Sequence, residues 1–217
     1  MPTGTISPDM RSPTTRSRLL EWGLRLIVAA LLLQFWAKAC ALWLQHPSHL
    51  TLLSLVLTET LSVSLVLTSR TPVTRDWHPV ALATSLPATF YFLVLDLSTG
   101  QSLVSENISS GLILCGTLWQ IFAKLSLGRA FGLLPADRKV VTHGAYRVVR
   151  HPIYLGYLIS HSGFLATHAS LHNLLVYSGL YVLQWVRIER EERWLAQQDI
   201  YQAYQTRVRW RLLPGLY

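Results

Sequence analysis

The sequence predicts an all-α integral membrane protein of about six transmembrane helices, with its charged groups gathered at one membrane face. Three observations predict it. Of 217 residues, 51% are hydrophobic and only 14% charged, against about a quarter charged in soluble domains. Six apolar runs follow one another, roughly 21–44, 50–69, 79–97, 109–126, 152–168 and 171–188. And 17 of the 19 Lys and Arg fall in segments that alternate passes would leave on one side.

Residues 1–18 are rich in Ser, Thr, Pro and Arg; they bury nothing and are expected as a disordered cytosolic tail. Residues 19–126 are expected as N-terminal transmembrane helices, and 127–217 as a C-terminal region that carries the chemistry. The first apolar run is about 25 residues long and ends without a small-residue cleavage site, so it reads as a helix and not a removed signal. A helix needs about 20 residues to cross the hydrocarbon core. The first run is long enough; the last three are short and would be tilted or extended by flanking turns. The loops near 45–49, 98–108 and 169–170 hold no Lys or Arg. The basic segments around Arg11–Arg25, Arg70–Arg75, Arg129–Arg150 and Arg187–Arg211 would then share the cytosolic side, with both termini inside. A net charge of +8 is accounted for by this asymmetry, and no nucleic-acid partner is expected.

Within the apolar runs a few residues stand out. Cys40 and Cys115 form no CxxC pair and read as small buried hydrophobes. Glu59 lies near the middle of the second run, where an ionisable group is costly. Lys38 lies at a depth that differs by about 5 Å, at about 1.5 Å per residue, so a structural Lys38–Glu59 pair or a satisfied buried carboxyl is the simplest reading, ahead of a catalytic role. Gly156 and Gly163 are seven residues apart on one helix face and suit a close helix crossing. His161, His168 and His172 have no Cys or carboxylate to join them, so no metal site is expected.

Two charged clusters remain. One is Tyr146-Arg-Val-Val-Arg150-His151-Pro152-Ile153-Tyr154; the other is Arg187-Ile-Glu-Arg-Glu191-Glu192. Proline suits the first turn of a helix, because its missing N–H is not needed there. Pro152 should therefore start a helix and hold Arg150 and His151 at its mouth. A helical hairpin then brings the second cluster back to the same face. Free N–H groups at a helix start favour an anion. Tyr146 and Tyr154 can stack on a heteroaromatic ring. Glu191 and Glu192 suit an ammonium or sulfonium. A ligand with a carboxylate, an amine and an adenine ring matches all three, and S-adenosylmethionine has that set. The competing reading is a belt of interfacial residues meeting lipid headgroups. No Gly-rich loop, GxSxG, HExxH or P-loop motif is present to supply other chemistry.

These residues carry a resemblance. Residues 127–217 resemble the isoprenylcysteine carboxyl methyltransferase and phospholipid methyltransferase superfamily of integral membrane enzymes. The matching positions are Gly144-x-Tyr146, Arg150-His151-Pro152-x-Tyr154-x-Gly156, Arg187-Ile188-x-x-Glu191-Glu192, Tyr201-x-x-Tyr204 and Pro214. The resemblance implies an S-adenosylmethionine-dependent methyltransferase with a cytosolic cofactor pocket. It implies that Val140, Val141 and Tyr146 line that pocket. His151, Pro152, Ile153 and Tyr154 would hold the cofactor's amino-acid and adenosine parts, and Glu191 its ammonium. Arg187 would face a membrane lipid or lipidated acceptor. Transfer would be a direct displacement at the methyl carbon, with positioning and desolvation as the protein's share. An amine acceptor would need a base, for which Glu192 or His151 stand nearest. Where the family often has Phe-Gly, this chain has Gln197-Gln198, at the helix that would close the pocket. Two other classes compete: an NADPH-dependent membrane reductase of the sterol reductase type, which is similar around Tyr201, Tyr204 and Pro214, and a non-catalytic membrane scaffold.

Overall fold

The computed structural model describes residues 15–48, 50–70, 78–91, 94–96, 100–131 and 140–217. Among them every long regular element is a helix: α1 Thr15–Gln45, α2 Leu50–Thr68, α3 Pro79–Phe90, α4 Glu106–Leu127, α5 Pro152–Thr167, α6 Leu171–Leu195 and α7 Asp199–Arg207. An isolated bridge between Gln101 and Ala169 is the sole β-type pairing among the described residues. The tail expectation for residues 1–14 lies outside the described residues, while residues 15–18 already belong to α1.

Three helices are long and apolar enough to cross a membrane: Arg25–Gln45, Leu50–Thr68 and Glu106–Ala130. Length separates the others from them. α3 has 12 residues, about 18 Å at 1.5 Å per residue, and α5 has 16, about 24 Å. α6 is long enough, with 25 residues, but its last turns are charged. The expected third run, 79–97, is not one helix, because α3 stops at Phe90 and Val94–Asp96 are non-helical. The cause lies on α6. The Asn173 side chain is fully buried and accepts from the Asp96 amide at 3.0 Å while donating to the Asp96 carbonyl at 2.9 Å. Those bonds satisfy backbone groups that a longer helix would have satisfied internally.

α4 packs most extensively on α5; α1 lies on α2, α2 on α4, and α3 on α6. The α4–α5 crossing is close because glycine permits it. A Cβ on Gly116 would lie 2.5 Å from the Ser160 amide nitrogen, and one on Gly156 2.9 Å from the Gly116 carbonyl. Gly163 meets the Ser109 carbonyl in the same way, at 2.8 Å. The close-packing reading of Gly156 and Gly163 thus holds, and Gly116 is the partner it lacked.

The pairing expected for Glu59 needs correction. Lys38 is exposed on α1. The cation that acts on Glu59 is Lys124 of α4. Lys124 is fully buried and donates to Ser62 Oγ at 2.8 Å. Cys115 also departs from its reading, being exposed on α4, while Cys40 is half-buried. His161 sits among tyrosines. Its Nε2 shares a 2.6 Å hydrogen bond with the Tyr91 hydroxyl and its Nδ1 a 3.0 Å bond with that of Tyr181. His172 Nε2 reaches the Val94 carbonyl at 2.7 Å, and the His168 ring stacks on Phe164.

The ends of the helices sort into two layers. At one, Gln101 and Leu103 pair with Ala169 and Ala166. At the other, Ser126 at the end of α4 meets Gly144 and Ala145 before α5. Among the described residues, segments predicted to share the basic face do meet, and so do two of the three uncharged loops.

Candidate active site

The site is built where α5 begins and α6 ends. Chain direction enters through a turn, Gly144–Arg147. Gly144 has φ +59°, and a Cβ there would lie 2.2 Å from Ser126 Oγ. Only glycine takes that backbone conformation without strain, and only glycine leaves room for Ser126. The Ala145 amide then donates to Ser126 Oγ at 3.2 Å. Pro152 is the first residue of α5, as its chemistry predicts. Its carbonyl accepts the Trp119 indole N–H at 2.9 Å, which fixes the helix start against α4.

Glu192 is the hub. Its side chain is 3% exposed. Oε1 accepts from Arg150 Nε at 3.0 Å, from the Tyr201 hydroxyl at 2.9 Å and shares a 2.8 Å bond with His151 Nε2. Oε2 accepts from Gln205 Nε2 at 2.8 Å and lies 3.8 Å from Arg211 Nε. Burial alone would push this carboxyl up. The His151 hydrogen bond, the charges of His151 and Arg150, and the Tyr201 hydroxyl outweigh burial and bring it down to about 2. The same burial raises the phenols of Tyr201 and Tyr204, so both stay neutral donors.

The chain's C-terminal stretch locks this hub. The amides of Arg150 and His151 donate to the Trp210 and Arg211 carbonyls at 2.9 and 2.8 Å. Arg150 Nη1 donates to the Val208 and Arg209 carbonyls. Arg211 pairs with Glu189 and donates to the Tyr217 hydroxyl, which in turn donates to Glu189 at 2.9 Å. The Tyr204 hydroxyl donates to the Tyr146 carbonyl at 2.7 Å. Val140 and Tyr146 pack on the apolar cluster of Tyr201, Tyr204 and Val208. Gln197 and Gln198 form the turn between α6 and α7, with Gln198 as the N-cap of α7.

Glu191 differs from its neighbour. Its side chain is 37% exposed and lies 4.0 Å from His151 Nδ1. His151 thus stands between two carboxylates, one enclosed and one open. Tyr154 carries the other side. Its ring is 5.9 Å from that of His151, and the Arg187 guanidinium lies 5.6 Å from its centre. Burial, and secondly the charge of Glu191, push the Tyr146 phenol well up. His151, Tyr154, Arg187 and Glu191 are therefore brought together, with Tyr146 and Val140 on the α7 side. Val141 and Ile153 are half-buried in the same two segments. Sequence reasoning missed Ser126, Trp119, Gln205 and Arg211. Of these only Arg211 had a signal, as a basic residue just before Pro214.

Helices of membrane-spanning length and a charged site at one end of the bundle define the class: an integral membrane protein with its polar chemistry at one face. The model of the phospholipid methyltransferase family matches residues 107–203. The match runs from α4 through the turn, α5 and α6 into α7, a little under half of the chain. That segment contains both charged clusters, Arg150-His151-Pro152 and Arg187 to Glu192. No curated protein matches the chain.

Proposed function

We propose that this chain transfers a methyl group from S-adenosylmethionine to a membrane-embedded lipid or lipidated acceptor of the isoprenylcysteine-carboxylate or phospholipid type. The observation that carries the reading is the division between Glu191 and Glu192. Glu192 is saturated and buried; Glu191, one residue before it, is open beside a buried histidine and two tyrosines.

The residues present fit the cofactor. An ammonium needs an anion with an open side, and Glu191, 37% exposed and sharing His151 with Glu192, offers one. An adenine needs flat apolar and aromatic surface, which Tyr146, Tyr154, Val140, Val141 and Ile153 supply in two adjoining segments. His151 and Pro152 form the wall at the start of α5. When bound, S-adenosylmethionine supplies a methyl on a cationic sulfur, an electrophile that needs no activation by the protein.

Glu192 acts by positioning. A carboxylate held at about 2 is a poor base near neutrality, so in place of the base role we assign it the task of fixing Arg150 and His151. His151 is held through Nε2 and turns Nδ1 towards Glu191. Arg187 projects one turn before Glu191, on the same face of α6, and is placed to meet an anionic acceptor. The test is a methyl-transfer assay with labelled cofactor on membranes, followed by identification of the labelled lipid or protein. Label in a lipid-soluble product is expected. Binding of NADPH with none of S-adenosylhomocysteine by the purified chain would overturn the reading.

A further inference from the structure

The face of α5 that carries Tyr154 continues below the site. Tyr157 and His161 follow Tyr154 one and two turns on, so the three rings share one side of the helix. Tyr157 is about 7–8 Å deeper than Pro152, which opens the helix, at about 1.5 Å per residue. The interfacial layer of a bilayer is about 5–8 Å deep on each side. Tyr157 therefore sits where that layer gives way to hydrocarbon, the level of a glycerolipid's ester groups.

The ring of Tyr157 is fixed. Lys124 Nζ lies 6.0 Å from its centre, and the His161 ring stacks on it at 5.6 Å and 23°. Lys124 stands in the last turn of α4, where a lysine ordinarily extends to the membrane surface. Here it is fully buried, turned inward and held by Ser62 Oγ at 2.8 Å. Deeper on the same face, Tyr91 and Tyr181 direct their hydroxyls to the two nitrogens of His161. The Tyr157 hydroxyl is different. Among the described residues it has no hydrogen-bond partner, and its oxygen keeps accessible surface. A hydroxyl at membrane depth without a partner costs free energy until a ligand or water meets it. The charges of Glu59 on α2 and Arg187 on α6 both bear on it. It therefore looks into the space between those helices, beneath the acceptor position given to Arg187. Opposite charges on two sides favour a neutral dipole there over an ion.

We propose that the Tyr157 hydroxyl donates to an ester carbonyl of a glycerolipid acceptor and so sets the depth at which the acceptor is held. Tyr157 is then a specificity-determining residue that favours acyl-ester lipids over isoprenoid and ether-linked chains, which have no carbonyl at this level. The inference rests on the reading of the site as one that takes a membrane lipid.

The test uses the full chain in a neutral detergent without cofactor, titrated with dioleoylphosphatidylethanolamine or its dialkyl ether analogue. The two lipids differ only in their ester carbonyls, and apparent Kd is read from the thermal midpoint. The native chain is expected to bind the ester form about three- to tenfold more tightly, the range of one neutral hydrogen bond. Tyr157→Phe should lose that preference and keep the native midpoint without lipid, because the hydroxyl it removes bonds nothing in the protein. Tyr181→Phe, which removes a hydroxyl bonded to His161, should lower the midpoint without lipid and keep the preference. Equal binding of the two lipids by the native chain, or binding of neither, would overturn the contact. So would an ester preference that survives in Tyr157→Phe, or a loss of midpoint there equal to that in Tyr181→Phe. Calorimetry with S-adenosylhomocysteine on the native chain keeps the two readings apart. No cofactor binding with the ester preference intact would sink the methyltransferase reading alone.

Discussion

His151 Nε2 lies 2.8 Å from Glu192 Oε1, and the same carboxylate oxygen takes Arg150 Nε at 3.0 Å. One buried anion therefore orders two residues that follow each other in sequence and open α5. Its other oxygen is held by Gln205 and faces Arg211. The start of α5, the end of α6, α7 and the C-terminal stretch are tied at this point. The tie joins parts of the chain 60 residues apart in sequence, Arg150 with Trp210 and His151 with Arg211.

The first prediction concerns pH. The Glu192 carboxyl is held at about 2, below its ordinary 4.5. A carboxyl lowered in the folded state contributes stability that is fully present above its unfolded value. That stability is lost as pH falls from about 4.5 towards 2. The shift is worth on the order of 3 kcal/mol. The thermal midpoint in detergent should fall through this window in the native chain. Glu192→Gln should be less stable at pH 7, because Arg150 loses its counter-charge, and flatter across the window. Parallel curves for the two proteins would show that acid lability arises elsewhere.

Glu191→Gln should behave in the opposite way. The side chain is 37% exposed, so the fold loses little. Loss of one charge-assisted hydrogen bond to a ligand ammonium costs about 1.5–3 kcal/mol, roughly ten- to a hundred-fold in affinity. Calorimetry with S-adenosylhomocysteine measures it. An affinity equal to that of the native chain would remove Glu191 from the cofactor site.

Much of this knot was legible in the sequence. Arg150-His151-Pro152 reads as a helix mouth because the N–H that proline lacks is not needed in a helix's first turn. The alternation of basic and uncharged loops puts the second cluster beside it. What was hidden depends on helix rotation and on long-range contacts. Depth alone matched Lys38 to Glu59, but depth does not say which face a side chain takes; the buried cation whose charge acts on Glu59 is Lys124, on a helix packed against α2. The two adjacent glutamates look alike in sequence, and only burial separates them. The third apolar run looked long enough to span until Asn173, 77 residues away, took its backbone bonds.

Gly144→Ala should lower both stability and cofactor affinity. The left-handed backbone at φ +59° and the close approach to Ser126 Oγ act together. The conformational part alone is worth about 1–2 kcal/mol. Adding Ser126→Gly removes the clash but not the backbone cost, so the double variant should recover part of the loss. Full recovery would mean that φ contributes nothing, and none would mean that Ser126 is not the obstacle.

The orientation rests on the charge asymmetry, and labelling tests it. In a background without Cys40 and Cys115, Leu103→Cys should react with an impermeant maleimide from outside intact cells. Arg147→Cys should react only after permeabilisation. Both positions are exposed, so silence at either reports sidedness and not burial. The reversed pattern would place the site on the outer face and remove access to cytosolic cofactor.

The last prediction separates cofactor from acceptor. Arg187 lies one turn before Glu191 on α6, with its guanidinium 5.6 Å from the centre of the Tyr154 ring. The contact with Tyr154 holds that guanidinium beside the space assigned to the acceptor. If the acceptor is anionic, Arg187→Ala should abolish transfer and leave affinity for S-adenosylhomocysteine within a few-fold of native. Arg187→Lys keeps the charge but loses the planar fork and most of the stacking on Tyr154, so turnover should return only in part. A residue that merely reached for the membrane boundary would accept lysine freely, because only charge and length matter there. Turnover and cofactor affinity are measured for all three proteins in one detergent. Full activity in Arg187→Lys would reduce Arg187 to an interfacial anchor. An equal loss of cofactor binding in both variants would move it into the cofactor site, beside Glu191.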